Sequence, residues 1–239
     1  MQNFEGGHSQ SAGHRERILK RFESGGISAF HDYEILELFL TTIIPRKDVK
    51  PIAKTLLAKY KTINAVFNAP SRELEEIDGL GKRSVLLLKF VRDMQGFCLK
   101  EEITAQKTIV NNKDDIAKYL SFNFGNLQEE YLILFLLDRQ NAVISTEIAV
   151  KGCVKKCPIS PRALFDRALQ AKAANIILAH NHPAHSINPS LSDWKTTQKI
   201  AEIGESLEIG LIDHIIISGN KVLSLREKNE IEKVFKWNR

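Results

Sequence analysis

The sequence predicts two domains of different class: an all-helical N-terminal domain and a C-terminal domain of the α/β (α+β) class. Three observations carry this. Between His14 and about Cys98 every strong apolar pattern repeats at helical spacing. Beyond Lys113, short apolar runs of strand length alternate with helical segments. And 239 residues are enough for two ordinary domains, each with its own core.

The first 13 residues, with Gly6, Gly7, Ser9, Ser11 and Gly13 among polar neighbours, read as a flexible tail. His14 to Glu23 reads as a short charged helix. In the segment from Tyr33 to Leu40, the side chains Ile35, Leu36, Phe39 and Leu40 fall on one helical face. Pro45 punctuates, and Val49, Ile52, Ala53, Leu56 and Leu57 mark an amphipathic helix ending near Tyr60. Pro70 opens a helix holding Leu74 and Ile77, Gly79-Leu80-Gly81 breaks it, and helix resumes from Lys82 to Phe97. These elements form a helical domain over residues 14–99. Residues 100–113 are polar with little periodicity and are expected to be a linker.

Residues 114–239 form the second domain. Asn112 is placed to cap a helix running to about Phe122. Tyr131 to Leu137 is an apolar run of the kind buried on both sheet faces, and Ala142 to Val150 is the next strand. Pro161 to Ala173 is helical, Asn175 to His180 a strand and Ser192 to Leu207 a helix. Leu211 to Ile217 and Lys221 to Ser224 are strands separated by Gly219-Asn220.

Composition bounds the function class. Hydrophobic residues are 43% and charged residues 26% of the chain, which excludes a mostly disordered chain, a collagen-like repeat and a rod. The longest apolar run stops at Asp138, short of the ~18 residues of a membrane span, so no membrane association is expected. The first residues lack an apolar segment of the secretory type, and three cysteines do not make a disulfide framework; a reduced cytoplasmic setting is expected. The net charge is +5, of which residues 1–100 hold +4. That excess is ordinary for a solvated surface, but it also fits a polyanion partner for the first half.

The segment from Ile176 to Asp193 carries the most chemistry. His180 and His182 stand two apart at the end of an apolar strand, so both imidazoles leave the same face. Ser190 follows eight residues after His182, and Asp193 three later, where a helix begins. Two histidines and a carboxylate on element ends offer three zinc ligands, the number found in catalytic sites. Each piece also has an ordinary explanation. A histidine pair is commonly a hydrogen-bonded surface pair, and Ser190-x-x-Asp193 after Pro189 is a helix capping box.

The string His-Asn-His-Pro…Pro-Ser-x-x-Asp resembles the RadC family of bacterial proteins. Its core, His-x-His with Ser-x-x-Asp, resembles the JAMM (MPN+) signature of zinc-dependent deubiquitinases and their bacterial relatives. The likeness extends to Pro161-Arg162, to Asp213-His214 and the isoleucines after them, to Ser224-Leu225-Arg226-Glu227 and to the helical first half. The resemblance implies a JAMM/MPN-like fold in which His180, His182 and Asp193 bind Zn2+. It further implies that Ser190 steadies an oxyanion and that Glu130 takes a proton from the attacking water, with Glu129 as the neighbouring fallback. By itself Glu130 reads more readily as a solvated carboxylate at a strand start. One departure stands out: RadC-type sequences continue His-Pro-Ser-Gly, whereas this chain has Pro183-Ala184-His185-Ser186. His185 could be an extra ligand, an outer donor or a bystander.

Other metal classes fit less well. The chain lacks a His-Glu-x-x-His helix. Nucleobase deaminases need His-x-Glu with Pro-Cys-x-x-Cys, whereas Cys153 and Cys157 are differently spaced and lie upstream, where they read as ordinary thiols. A glycine-rich phosphate loop is likewise missing, which argues against a nucleotide-driven enzyme.

Leu74 to Ser84 reads as helix, tight turn, helix and resembles a helix-hairpin-helix element. Gly79 and Gly81 would let backbone amides approach a phosphate, and Lys82 and Arg83 add charge there. That implies weak, sequence-independent DNA contact; a plain hairpin used for docking is the competing explanation, and Glu73, Glu75, Glu76 and Asp78 oppose DNA. The expected function is a zinc-dependent hydrolase of a peptide or protein substrate, cutting peptide or isopeptide bonds. The alternative is a DNA-associated, repair-linked accessory protein with a structural or vestigial metal site.

Overall fold

The computed structural model describes residues 7–45, 47–105, 113–153, 160–183 and 186–227. The chain divides into two compact units, Met1–Gln95 and Gly96–Arg239.

The first unit is helical, as expected. Its elements are α1 (Gly7–Gly25), a short 3-10 turn (Ile27–Ala29), α2 (Asp32–Ile43), α3 (Lys50–Tyr60), α4 (Ile63–Asn68), α5 (Ser71–Glu75) and the start of α6 (Lys82–Ala105). Leu36 and Leu40 from α2, Ile52 and Leu56 from α3, Val66, Leu74, Val85 and Leu88 close one apolar core. The helix ends are chemically satisfied. The Glu34 carboxylate accepts the His31 backbone N–H at 3.0 Å, and Thr62 Oγ1 accepts the Ala65 N–H at 3.1 Å to start α4. The Lys89 amine reaches from α6 to the Phe67 and Ala69 carbonyls at the end of α4.

Three expectations need correction here. Helix α1 begins at Gly7, inside the stretch read as a tail. Helix α4 was not foreseen, because six residues with one fully buried side chain show no readable period; it depends on its Thr62 cap and on Lys89. Helix α6 continues to Ala105, so the stretch from Lys100 does not open a linker. Leu99 and Ile103, four apart, pack into the core of the second unit, a destination that residues 100–113 alone do not reveal. Residues 106–112 of the expected linker, Asn112 among them, and Cys157, His185 and residues 228–239 lie outside the described residues.

The second unit is a mixed five-stranded sheet covered on both faces. After α7 (Lys113–Phe124) come β1 (Glu130–Leu137), β2 (Val143–Cys153), α8 (Pro161–Gln170), β3 (Asn175–Asn181), α9 (Leu191–Ser206), β4 (Gly210–Ser218) and β5 (Lys221–Ser224). The strand order is β2-β1-β3-β4-β5, and only β3 and β4 are parallel, joined through α9. Alternation along the strands sorts the side chains. Ile133, Phe135, Leu137, Ile177 and Ala179 pack with Tyr119, Leu120 and Phe124 of α7. Leu132, Leu134, Leu136, Ile176 and Leu178 pack instead with Leu164 and Phe165 of α8 and Ile200 of α9. Burial on both faces explains why β1 reads as one unbroken apolar run.

Gly125, just past α7, touches the β4–β5 turn: its carbonyl accepts the Gly219 N–H at 2.9 Å. A Cβ at Gly125 would collide with the Gly219 and Ser121 carbonyls. Gly125→Ala is therefore expected to destabilise the sheet unit by about 2 kcal/mol or more. Denaturant titration followed by circular dichroism checks this, and an unchanged midpoint would count against the close approach.

Candidate metal centre

Strand β3 is the innermost of the parallel pair, and its last residues turn polar. His180 pairs with Leu132 of β1 on one side and Ile216 of β4 on the other. It follows Ile176 and Leu178 on the α9 face, so its ring emerges where that apolar layer ends. His182 lies one step past the strand, yet its backbone N–H still bonds to the Ile217 carbonyl at 2.7 Å. That bond carries the alternation one residue further and returns His182 to the face of His180.

Asn181, between them, is fully buried. Its amide oxygen accepts the Tyr131 N–H at 2.7 Å, and its amide nitrogen donates to the Glu129 carbonyl at 2.9 Å. This side chain completes the β1–β3 ladder beyond its last regular pair and ties down the start of β1. Gly152 of β2, at φ +76°, forms a bulge opposite the same point.

Asp193 arrives from the other direction. Ser190 caps α9: its Oγ accepts the Asp193 N–H at 3.2 Å, and the Asp193 carboxylate accepts the Ser190 N–H at 2.7 Å. The capping box is thus real, and it also aims Asp193 Oδ1 at His180 Nε2 (3.4 Å) and Oδ2 at His182 Nε2 (3.5 Å). The two Nε2 atoms stand 2.8 Å apart. On the far side of its ring, His182 donates from Nδ1 to the Ser186 carbonyl at 2.7 Å. Because a carbonyl only accepts, that bond puts a proton on Nδ1 of His182, so the neutral form of the ring presents its lone pair at Nε2. Among the described residues, His180, His182 and Asp193 form the one group able to hold a metal ion. Donors on a tetrahedron of zinc-ligand lengths lie roughly 3.3 Å apart, and the three separations bracket that figure.

The electrostatics match this packing. Burial lowers His180 to about 4, against the attraction of Asp193. The hydrogen bond to Asp193 raises His182, with burial opposing and the Ser186 carbonyl and the Glu130 charge assisting. Burial pulls Asp193 upward, but the hydrogen bond from His182, the charge of His180 and the Ser190 contacts outweigh it and hold the carboxyl well below its usual range. A neutral His180 and an ionised Asp193 are states a divalent cation requires, whereas His182, held towards its charged form by the carboxylate, gives up a proton on binding one.

Glu130 opens β1 two residues before Leu132, the partner of His180, on the α9 face of the sheet by alternation. Its charge is felt at His182. Sequence reasoning had no role for His214 of β4, which lies 2.9 Å from the Nδ1 of His180, or for Thr197 of α9, which lies 2.5 Å from His214. His214 entered the sequence reading only as part of the family resemblance and Thr197 not at all; the fold brings both to the site.

The hairpin residues belong to the first unit. Gly79 is left-handed (φ 85°), with the Lys47 amine and Ile52 lying where its Cβ would stand. Gly81 has open space around it, and its carbonyl starts α6 by accepting from Ser84 and Val85. Lys82 and Arg83 are exposed. Glu75, Glu76 and Asp78 line the cleft beside them.

A covered mixed sheet whose central parallel strand ends in His-x-His, answered by Asp at the first turn of the next helix, defines a domain of the JAB (JAMM/MPN) class. The family model for the RadC-like JAB domain matches residues 110–230. The chain is 41% identical over 225 residues to a UPF0758 protein of Fusobacterium nucleatum, spanning 92% of this chain and 97% of that protein. It is 36% identical over 213 residues to a UPF0758 protein of Ruegeria pomeroyi, spanning 89% and 95%. The chain belongs to the RadC (UPF0758) family. No helix among the described residues is long and apolar enough to cross a membrane.

Asn181→Ala is expected to cost on the order of 2–3 kcal/mol, because the Tyr131 N–H and the Glu129 carbonyl lose their buried partner. A chemical-denaturation midpoint equal to that of the unaltered chain would show that the clamp is dispensable.

Proposed function

We propose that the chain is a zinc-dependent hydrolase of the JAMM type, acting on a peptide or isopeptide bond of a protein substrate. The observation that carries this reading is the convergence of His180 Nε2, His182 Nε2 and the Asp193 carboxylate, with separations of 2.8, 3.4 and 3.5 Å. Zinc held there would supply Lewis acidity and make water nucleophilic near neutral pH. Glu130 would take the proton of the attacking water and return it to the leaving nitrogen. Ser190 Oγ uses a lone pair to accept the Asp193 amide, so its own proton remains to be donated to the oxyanion of the substrate. The same serine would thus fix a ligand and bind the developing charge.

The purified chain is expected to carry one zinc per molecule, with His180→Ala and Asp193→Ala losing it by elemental analysis. Glu130→Gln should keep the metal and lose at least ~100-fold in hydrolysis of a peptide or isopeptide probe. Full metal content in both ligand variants, or full activity of Glu130→Gln, would sink the assignment.

A second reading rests on a separate observation in the first unit. Helix α6 opens with Lys82 and Arg83 and has no acidic residue in its first turn, so two cations face the positive end of the helix dipole. A phosphate offsets that repulsion. This supports sequence-independent DNA contact at Gly79, Gly81, Lys82 and Arg83, compatible with the hydrolase or with an accessory protein whose metal is structural or vestigial. Retention on DNA should fall steeply with salt, and Lys82→Glu/Arg83→Glu should weaken it and flatten the salt slope by about two. Equal retention of the double variant would remove the hairpin from any DNA role.

A further inference from the structure

Behind the converging donors runs a buried chain of polar groups. His180 Nδ1 lies 2.9 Å from His214 Nε2, His214 Nδ1 lies 2.5 Å from Thr197 Oγ1, and Thr197 Oγ1 donates to the Asp193 carbonyl at 2.7 Å. His214 is 1% exposed and Thr197 is 0% exposed.

The last link sets the direction of every proton. A carbonyl oxygen only accepts, so the single hydroxyl proton of Thr197 goes to Asp193. Thr197 Oγ1 is then an acceptor towards His214, and His214 must carry its hydrogen on Nδ1. The ring of His214 bonds to an imidazole and a hydroxyl, with no carboxylate among those partners. Buried and neutral, it offers a lone pair at Nε2, and His180 donates to it from Nδ1. The remaining lone pair of His180 is thereby fixed at Nε2, the atom that faces His182 and Asp193.

We propose that His214 and Thr197 are positioning residues that lock His180 in its metal-ligating tautomer and couple that ring to the helix carrying Asp193. The proposal rests on the metal-centre reading for its purpose, although the tautomer lock itself needs no metal. The chain of bonds begins at a ligand on β3 and ends at the backbone of the ligand on α9, so ring orientation and helix register are set together. Its outer partners are uncharged. A carboxylate in the place of His214 would raise the basicity of the ligand; this relay orients His180 without doing so.

The test uses the full-length, metal-free chain at mildly alkaline pH, with imidazole nitrogen shifts read by NMR. Wild-type His180 should be protonated at Nδ1 and bare at Nε2. Thr197→Val removes the terminal donor and acceptor, and should mix the tautomers of both His214 and His180. Thr197→Ser restores the hydroxyl and should restore the wild-type shifts. Circular dichroism confirms that each variant folds, and His214→Gln is the second probe. Zinc dissociation constants from chelator competition should rise about 10–100-fold in Thr197→Val and His214→Gln and return close to wild type in Thr197→Ser.

A wild-type His180 protonated at Nε2 overturns the proposal, as does a folded Thr197→Val chain with unchanged shifts and zinc affinity. The Nδ1–H tautomer in a chain that takes up no zinc upholds the relay and defeats the zinc reading alone. Tight zinc binding with an unlocked His180 does the opposite.

Discussion

The site depends on the way strand β3 ends. For most of its length β3 is held between β1 and β4 and covered on both faces, which leaves its apolar side chains no alternative position. Where the apolar layers stop, the strand still has neighbours on both sides, and a polar side chain there must find partners or go unfolded. Asn181 resolves this for the backbone of β1, and His180 resolves it through His214. A rigid strand end surrounded by satisfied polar groups is what allows donors to be held with their lone pairs aimed at one point.

The capping box of α9 shows why a structural and a functional explanation of one motif need not compete. Ser190 and Asp193 satisfy the helix start as any such pair would. The same hydrogen bonds fix the rotamer of Asp193, and the fixed carboxylate meets two imidazoles from β3. The cap is thus the positioning device for the third donor, and separating helix stability from ligand geometry at this residue has no physical meaning.

The two units differ in how they use charge. Most of the basic excess lies in the first hundred residues, and part of it stands exposed at the start of α6, beside the carboxylates of Glu75, Glu76 and Asp78. Other cations in that unit have internal duties: the Lys89 amine caps α4, and the Arg92 guanidinium bonds Asn68. The sheet unit, nearly neutral in sum, concentrates its chemistry in a few buried or half-buried groups instead.

Periodicity and spacing in the sequence were enough to indicate the class of each long element and the order of the strands along the chain, and they singled out His180, His182 and Asp193, which the fold brings together. Those features are local: a strand end puts residues two apart on one face, and a capping box puts a carboxylate at a helix start. Short or context-dependent elements were not legible, as α4 and the continuation of α6 to Ala105 show, because their stability comes from contacts outside the segment. The same holds for the inner part of the site. His214 lies 34 residues from His180 and 17 from Thr197, on different elements, and nothing in their local sequence marks them as partners. Only the parallel pairing of β3 with β4, with α9 packed across them, brings the three side chains together. The identity of the donors is a property of the sequence; the direction in which their lone pairs point is a property of the fold, since the proton on one ring is set by what touches its far side.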